Sequence, residues 1–207
     1  MKIDVEVVTG FLGYGKTSFI NSLLKESQVI GEKVLIIQME DGNKKIYDIN
    51  DNNYPLIVNK INDINNINSC LNEYISKFKP NRIIIEFNGT DNLDDIRRKF
   101  EEKELKKKMK ISTIYFVADS KKLLNNIENL GYYIVPFIKN SDMIILNDIE
   151  AIKKEESKQQ INTLREINSR SFILKVDNKL NLCRDLRESK VIYNGFLKKL
   201  KIRLMNS

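Results

Sequence analysis

The chain has 207 residues, of which 42% are hydrophobic and 30% charged, with a formal net charge of +7 and no histidine. That length buries one well-packed core with little left for a second, and no stretch approaches the ~20 apolar residues of a membrane span. Cys70 and Cys183 are isolated, which excludes a disulfide framework and a cysteine metal cluster; they read as thiols of a reducing compartment, so the expected location is the cytoplasm.

Met1-Lys2-Ile3-Asp4 runs straight into an apolar segment, with no signal peptide expected. Ile3–Val8, rich in β-branched residues, is the first expected strand. Thr9-Gly10-Phe11-Leu12-Gly13-Tyr14-Gly15-Lys16-Thr17-Ser18 follows and fits G-x-x-x-x-G-K-[ST]. Behind it Phe19, Ile20, Leu23 and Leu24 recur at helical spacing, so a helix is expected over Lys16–Lys25. Strand, glycine loop and helix form the context in which this pattern binds phosphate. Gly10, Gly13 and Gly15 let backbone N–H groups around Tyr14 and Ser18 close on an anion at a helix N-terminus. Lys16 would reach the β- and γ-phosphates and the Thr17 hydroxyl would sit on Mg²⁺. The expected ligand is a nucleoside triphosphate.

Further strands are expected at Lys33–Gln38, Arg82–Glu86, Ser112–Ala118, Met143–Leu146 and Phe172–Val176, with a short one near Leu56–Val58. Helical patterns lie around Ile67–Phe78, Asn92–Lys107, Lys121–Glu128 and Ile149–Ile167. The Asn- and Asp-rich stretch from Asn50 to Asn68, broken by Pro55, reads as a surface excursion. Short apolar strands alternating with helices predict an α/β fold: a P-loop NTPase with a mostly parallel central sheet and helices on both faces. With no repeat and no linker in sight, residues 1–207 are expected to form a single domain.

Arg82-Ile83-Ile84-Ile85-Glu86 supplies the second acidic group that such a site needs for Mg²⁺, a carboxylate at the tip of a buried strand. Gly89, three residues on, can offer its N–H to the γ-phosphate and move when hydrolysis releases it. The basic run Lys103 to Lys110 (KELKKKMK) follows acids in one helical stretch without aromatics, and reads as a solvated helix end; no nucleic-acid partner is expected.

GFLGYGKTS and IIIEFNG, with the interval between them, resemble the CobW-type GTPases, whose members assist metal or cofactor insertion. The segments KVLIIQMEDG, TIYFVAD, Ser141 to Glu150 and LREINSR extend the resemblance over nearly the whole chain. By that resemblance Glu40 is the switch carboxylate near Mg²⁺ and the attacking water, while Lys16 and Glu86 complete the catalytic set. Guanine recognition falls on Asn147, Glu150 and the loop after Lys175. The family's N-K-x-D segment reads Asn147-Asp148-Ile149-Glu150 here: Glu150 can accept the same two hydrogen bonds, and Asp148 replaces the lysine that would pack over the base. GTP leads over ATP because adenine has no N1 donor for Glu150.

The sequence also departs from the family. The C-x-C-C metal motif is missing from the interval Leu56 to Asp63, and Gln38 and Asn43 stand where glutamates often flank the switch. Without histidine or paired cysteines, no transition-metal site of its own is expected, nor is the family's C-terminal domain. The resemblance therefore implies a GTPase switch acting on a metalloenzyme or corrinoid-protein partner, with dimerisation across nucleotide faces an open option. Two other readings remain. One is an ATP-dependent small-molecule kinase or ligase with Arg97, Arg98 and Lys99 as a phosphate lid. The other is a non-hydrolysing nucleotide-binding scaffold. Val191 to Met205 is expected as a last helix packed on the sheet.

Overall fold

In a computed structural model, residues 1–40, 45–46, 54–178, 181–189, 202 and 204–205 are described. Seven strands make up one sheet: β1 (Ile3–Thr9), β2 (Val34–Gln38), β3 (Leu56–Lys60), β4 (Arg82–Glu86), β5 (Met109–Asp119), β6 (Met143–Asn147) and β7 (Phe172–Lys175). Their order is β3-β2-β4-β1-β5-β6-β7, and every adjacent pair is parallel. The expected parallel sheet is thus wholly parallel within the described residues. The helices are α1 (Lys16–Ser27), α2 (Ile67–Lys77), α3 (Leu93–Glu101), α4 (Lys103–Lys108), α5 (Leu123–Asn140), α6 (Lys154–Ile167) and α7 (Leu182–Ser189).

Strand side chains alternate between two cores. Val5, Val7, Leu35, Ile37, Ile83, Ile85, Phe116 and Ala118 face a core completed by α2, α3, α5 and α6. Val8, Val34, Ile36, Ile84, Tyr115 and Val117 face the other, completed by Phe19, Ile20, Leu23 and Leu24 of α1 and by α7. Burial on both faces explains why these strands read as unbroken apolar runs. The connection from β1 to β2 uses the α1 face, and those that move toward β7 use the opposite face through α2, α3, α5 and α6. A constant crossover hand requires that division.

Several boundaries differ from expectation. The pattern expected as one helix from 92 to 107 divides at Glu102, whose extended ψ of 136° ends α3 and starts α4. The helix expected to stop at Glu128 runs on to Asn140: Leu130 leaves helical geometry, yet the helix resumes through Gly131 and Pro136. β5 starts three residues earlier than expected, at Met109, and α7 is an element the periodicity did not reveal. Most of the tail expected as a helix from Val191 lies outside the described residues. No helix of the described residues is long and apolar enough to cross a membrane.

At the strands' N-terminal ends lies a buried ionic cluster. Arg82 Nη2 and Nε donate to Glu6 Oε2 at 2.5 and 2.9 Å, and Nη1 donates to Ser27 Oγ at 2.8 Å. Glu32 stands 3.8 Å from Nη1. Burial works against the guanidinium, but the Glu6 and Glu32 carboxylates outweigh it and hold its pKa above the ordinary value.

Candidate functional site

The C-terminal end of β1 lies between those of β4 and β5, where the chain's lateral direction reverses, and clefts at such points take ligands in open α/β sheets. The loop leaving β1 turns through Gly10, Gly13 and Gly15 at φ of 134°, 80° and 98°, and Gly15 caps α1. At Gly10 space as well as φ demands glycine: a Cβ there would lie 2.2 Å from the Val117 carbonyl oxygen. The loop is therefore seated against β5. α1 starts at Lys16, directly after the loop, so its N-terminal turn adjoins the loop, an anion-binding arrangement.

Four of the anticipated side chains meet here in two pairs. The Thr17 hydroxyl donates to Glu86 Oε1 at 2.5 Å, across an interval of 69 residues. Lys16 Nζ donates to the carbonyl oxygens of Gly10 and Phe11 at 2.7 and 3.1 Å and forms an ion pair with Glu40. The second oxygen of Glu86 accepts from Gln38 Nε2 at 2.6 Å, so the residue that departs from the family's glutamate steadies the strand-tip acid. Gly89 is buried against the loop: a Cβ on it would sit 2.2 Å from the Gly10 carbonyl oxygen. The turn after β4 and the phosphate loop thus touch through two glycines. Asn43, noted beside the switch, lies outside the described residues.

On the β5–β6 side, the side-chain amide of Asn147 is fully buried and its Nδ2 donates to the Tyr14 carbonyl oxygen at 2.8 Å. Its Oδ1 is buried without a hydrogen-bond partner. Asp148 takes a left-handed φ of 58° and leads into a single 3₁₀ turn, Ile149–Ala151, that leaves Glu150 exposed. Glu150 is thus beside Asn147 in the chain but is held by none of the bonds that fix it. Tyr14 turns its ring into the core, where its hydroxyl bonds with Asn126 Nδ2 of α5 and its edge meets Phe11. Burial, and then the negative charge of Asp119, pushes the Tyr14 phenol up to about 12. Only the backbone of Tyr14 is left to face a phosphate.

Sequence reasoning did not single out Asn126 or Gln160. Gln160 Nε2 donates to the Ser120 carbonyl at 2.5 Å, and Ser120 N–H donates to the Asn147 carbonyl at 3.0 Å. A chain of hydrogen bonds therefore runs from α6 through both strand tips to the phosphate loop. The available signal was Gln160 on the buried stripe of α6, one turn ahead of Leu164.

The donor set suits a hard divalent cation. Thr17 Oγ1 and a Glu86 carboxylate oxygen converge below the helix N-terminus, and Mg²⁺ uses one or two such oxygens beside phosphate. No group of three or more Cys, Asp or Glu side chains placed to share a metal ion occurs among the described residues. Cys70 Sγ accepts from Asn59 Nδ2 at 3.2 Å, and burial raises its pKa. The lid considered for Arg97 is not formed: its guanidinium donates to Asn140 Oδ1 at 2.6 Å, near the opposite ends of the strands.

The family model for the CobW/HypB/UreG nucleotide-binding domain matches residues 4–175. Among solved structures, the Zn(II)-bound YjiA GTPase from E. coli aligns with a TM-score of 0.66 and 20% identity, over 94% of this chain and 66% of its own. The hydrogenase maturation factor HypB from Archaeoglobus fulgidus aligns at 0.55 and 14% identity, over 91% of this chain and 90% of that one. HypB from Helicobacter pylori in complex with nickel gives 0.54 and 12%, with 99% and 90% covered. The chain spans just under two thirds of the length of YjiA. At these identities the likeness is one of fold. A search of curated proteins finds no match.

Proposed function

The chain belongs to the CobW/HypB/UreG family of nucleotide-binding domains, and we infer that it is a Mg²⁺-dependent GTPase that works as a switch on a protein partner. The observation that carries this reading is the 2.5 Å bond between Thr17 and Glu86, which joins the helix N-terminus to the tip of the buried acid strand. Gly10, Gly13, Gly15 and the start of α1 would cradle the phosphates with backbone N–H groups. Lys16 would exchange its bonds to the Gly10 and Phe11 carbonyls and to Glu40 for the β- and γ-phosphates. Thr17 and Glu86 would hold Mg²⁺, which supplies charge neutralisation between phosphate oxygens. Glu40, released from Lys16, would orient the attacking water, and Gly89 would offer its N–H to the γ-phosphate. Asn147 and Glu150 would read the base.

The partner class, a metalloenzyme or corrinoid protein, rests on family likeness and on the maturation-factor description of HypB. With two separate half-buried thiols, Cys70 and Cys183, and no histidine in the chain, a switch without a transition-metal site of its own is the consistent form.

Calorimetric titration with GTP and with ATP, each with Mg²⁺, tests the reading, followed by phosphate release under saturating nucleotide. The expected result is preferential GTP binding, slow phosphate release, and loss of both in Lys16→Ala, while Cys70→Ser keeps them. Retained binding in Lys16→Ala would sink the phosphate-loop assignment. ATP preference would overturn the base reading, and the absence of phosphate release would leave a scaffold.

A further inference from the structure

A cleft of about 580 Å³ opens at the end of the sheet opposite the phosphate loop, between the start of β5, the end of α3, α4 and the end of α5. It is of the size that takes a ligand or a few side chains. The seven residues of β1 separate Lys2, on its wall, from Gly10, so the two sites lie about 25 Å apart. Phe100, Met109 and Ile114 give it an apolar floor.

Four cations stand around that floor: Lys2, Arg97, Lys106 and Lys110. Two of them come from the basic run that reads in sequence as a solvated helix end. Leu105 and Met109 anchor that run in the core while its lysines stay exposed, and this places Lys106 and Lys110 on the cleft. Two acids share the lining, and each is engaged. Glu101 pairs with Lys106, Asp142 Oδ2 accepts from the Ile114 N–H at 2.8 Å, and a third acid beside the cleft, Asp4, stands 3.7 Å from Lys110 Nζ. The bond to Lys106, its charge and that of Lys2 hold the Glu101 carboxyl below its usual range.

The geometry points to this cleft as a docking site for an acidic segment of a protein partner, with a large apolar side chain seated on Phe100, Met109 and Ile114 between carboxylates. A basic rim over an apolar floor is complementary to that chemistry. The rim charges are carried on exposed stems, with the side chain of Lys110 59% and that of Lys106 58% accessible, so they do not converge on a point as donors do around a single small anion. This inference depends on no property of the nucleotide site, and docking here leaves the phosphate loop uncovered.

The probe is a fluorescein-labelled peptide, Asp-Glu-Leu-Phe-Glu-Asp, titrated by anisotropy with the full chain. Its Asn-Gln-Leu-Phe-Gln-Asn counterpart and a single-stranded oligothymidylate serve as comparisons. Saturable binding of the acidic peptide is expected, weakening about tenfold as salt rises from about 0.01 M to about 0.15 M. Lys2→Glu with Lys110→Glu should weaken it about tenfold or more, and Lys2→Gln with Lys110→Gln by less, while both variants melt as the parent does and keep nucleotide binding. The proposal is overturned by any of four results. These are no saturable binding up to about 1 mM, equal binding of the uncharged peptide, unchanged affinity in folded charge-reversed protein, or tighter binding of the oligothymidylate.

Discussion

Replacing Gly89 by Ala perturbs the contact between the acid-strand turn and the phosphate loop. The backbone at Gly89 is not in the left-handed region, so the effect of alanine is the steric one. Its Cβ would stand 2.2 Å from the Gly10 oxygen, 2.6 Å from the Gly10 carbonyl carbon and 3.0 Å from Phe11 Cα, all of them backbone atoms. Relief to an ordinary contact of 3.4 Å requires the two segments to part by about 1 Å. A misplacement of about 1 Å in a positioned site costs about 100-fold in rate. Overpacking of this kind destabilises by about 1–3 kcal/mol, with about 2–4 °C of Tm for each kcal/mol in a chain this long. Phosphate release under saturating GTP and thermal melting are the assays. Gly131→Ala is the control, since its Cβ meets only Val135 Cγ2 at 3.9 Å and alanine favours a helix by up to about 1 kcal/mol. Turnover within about twofold of the parent in Gly89→Ala would refute the close approach.

Two further outcomes follow from buried polar groups. Arg82→Met should lower stability in urea unfolding by about 3–5 kcal/mol, because it removes the buried guanidinium that faces Glu6 and Glu32; adding Glu6→Gln and Glu32→Gln should restore most of the loss. No loss in Arg82→Met alone would mean that the cluster holds nothing together. Tyr14 gives a pH dependence. Its phenol titrates near 10.0 unfolded and about 12 folded, so its contribution is complete below pH 10 and fades as pH rises through 12. Unfolding free energy should therefore fall across that interval with a share of about 1.4 kcal/mol per pH unit that Tyr14→Phe lacks. Parallel curves for the two proteins would contradict it.

The fold was legible where sequence and packing impose the same pattern. β4, buried on both faces, is three branched apolar residues closed by Glu86, and its bounds emerge unchanged. The glycine loop announces its own geometry, since Gly10, Gly13 and Gly15 all stand in the φ range their spacing implies. α5 was cut short because Gly131 and Pro136 normally end a helix; here Leu130 absorbs the irregularity and Ile134, Phe137 and Ile138 pull the second half onto the sheet. α3 and α4 were merged because the break at Glu102 changes ψ without changing the apolar rhythm of Phe100, Leu105 and Met109. In the site, residue types were readable and partners were not. That Gly89 lies against Gly10, that Gln38 bonds Glu86 and that Tyr14 turns inward depend on crossings between distant segments.

The placement of β1 at the middle of the sheet divides labour between its two flanks. The flank of β4 and β2 carries Glu86, Gln38 and Glu40, which would sense the far end of a triphosphate. The flank of β5 and β6 carries Asn147 and Ser120, tied by Gln160 and bolted to the phosphate loop at Tyr14. Under the proposed function, cleavage of the terminal phosphate would relax the first flank and leave the second clamped. The product diphosphate would then be held by the anchoring side alone, and a partner that loosened β5 and β6 would ease its departure.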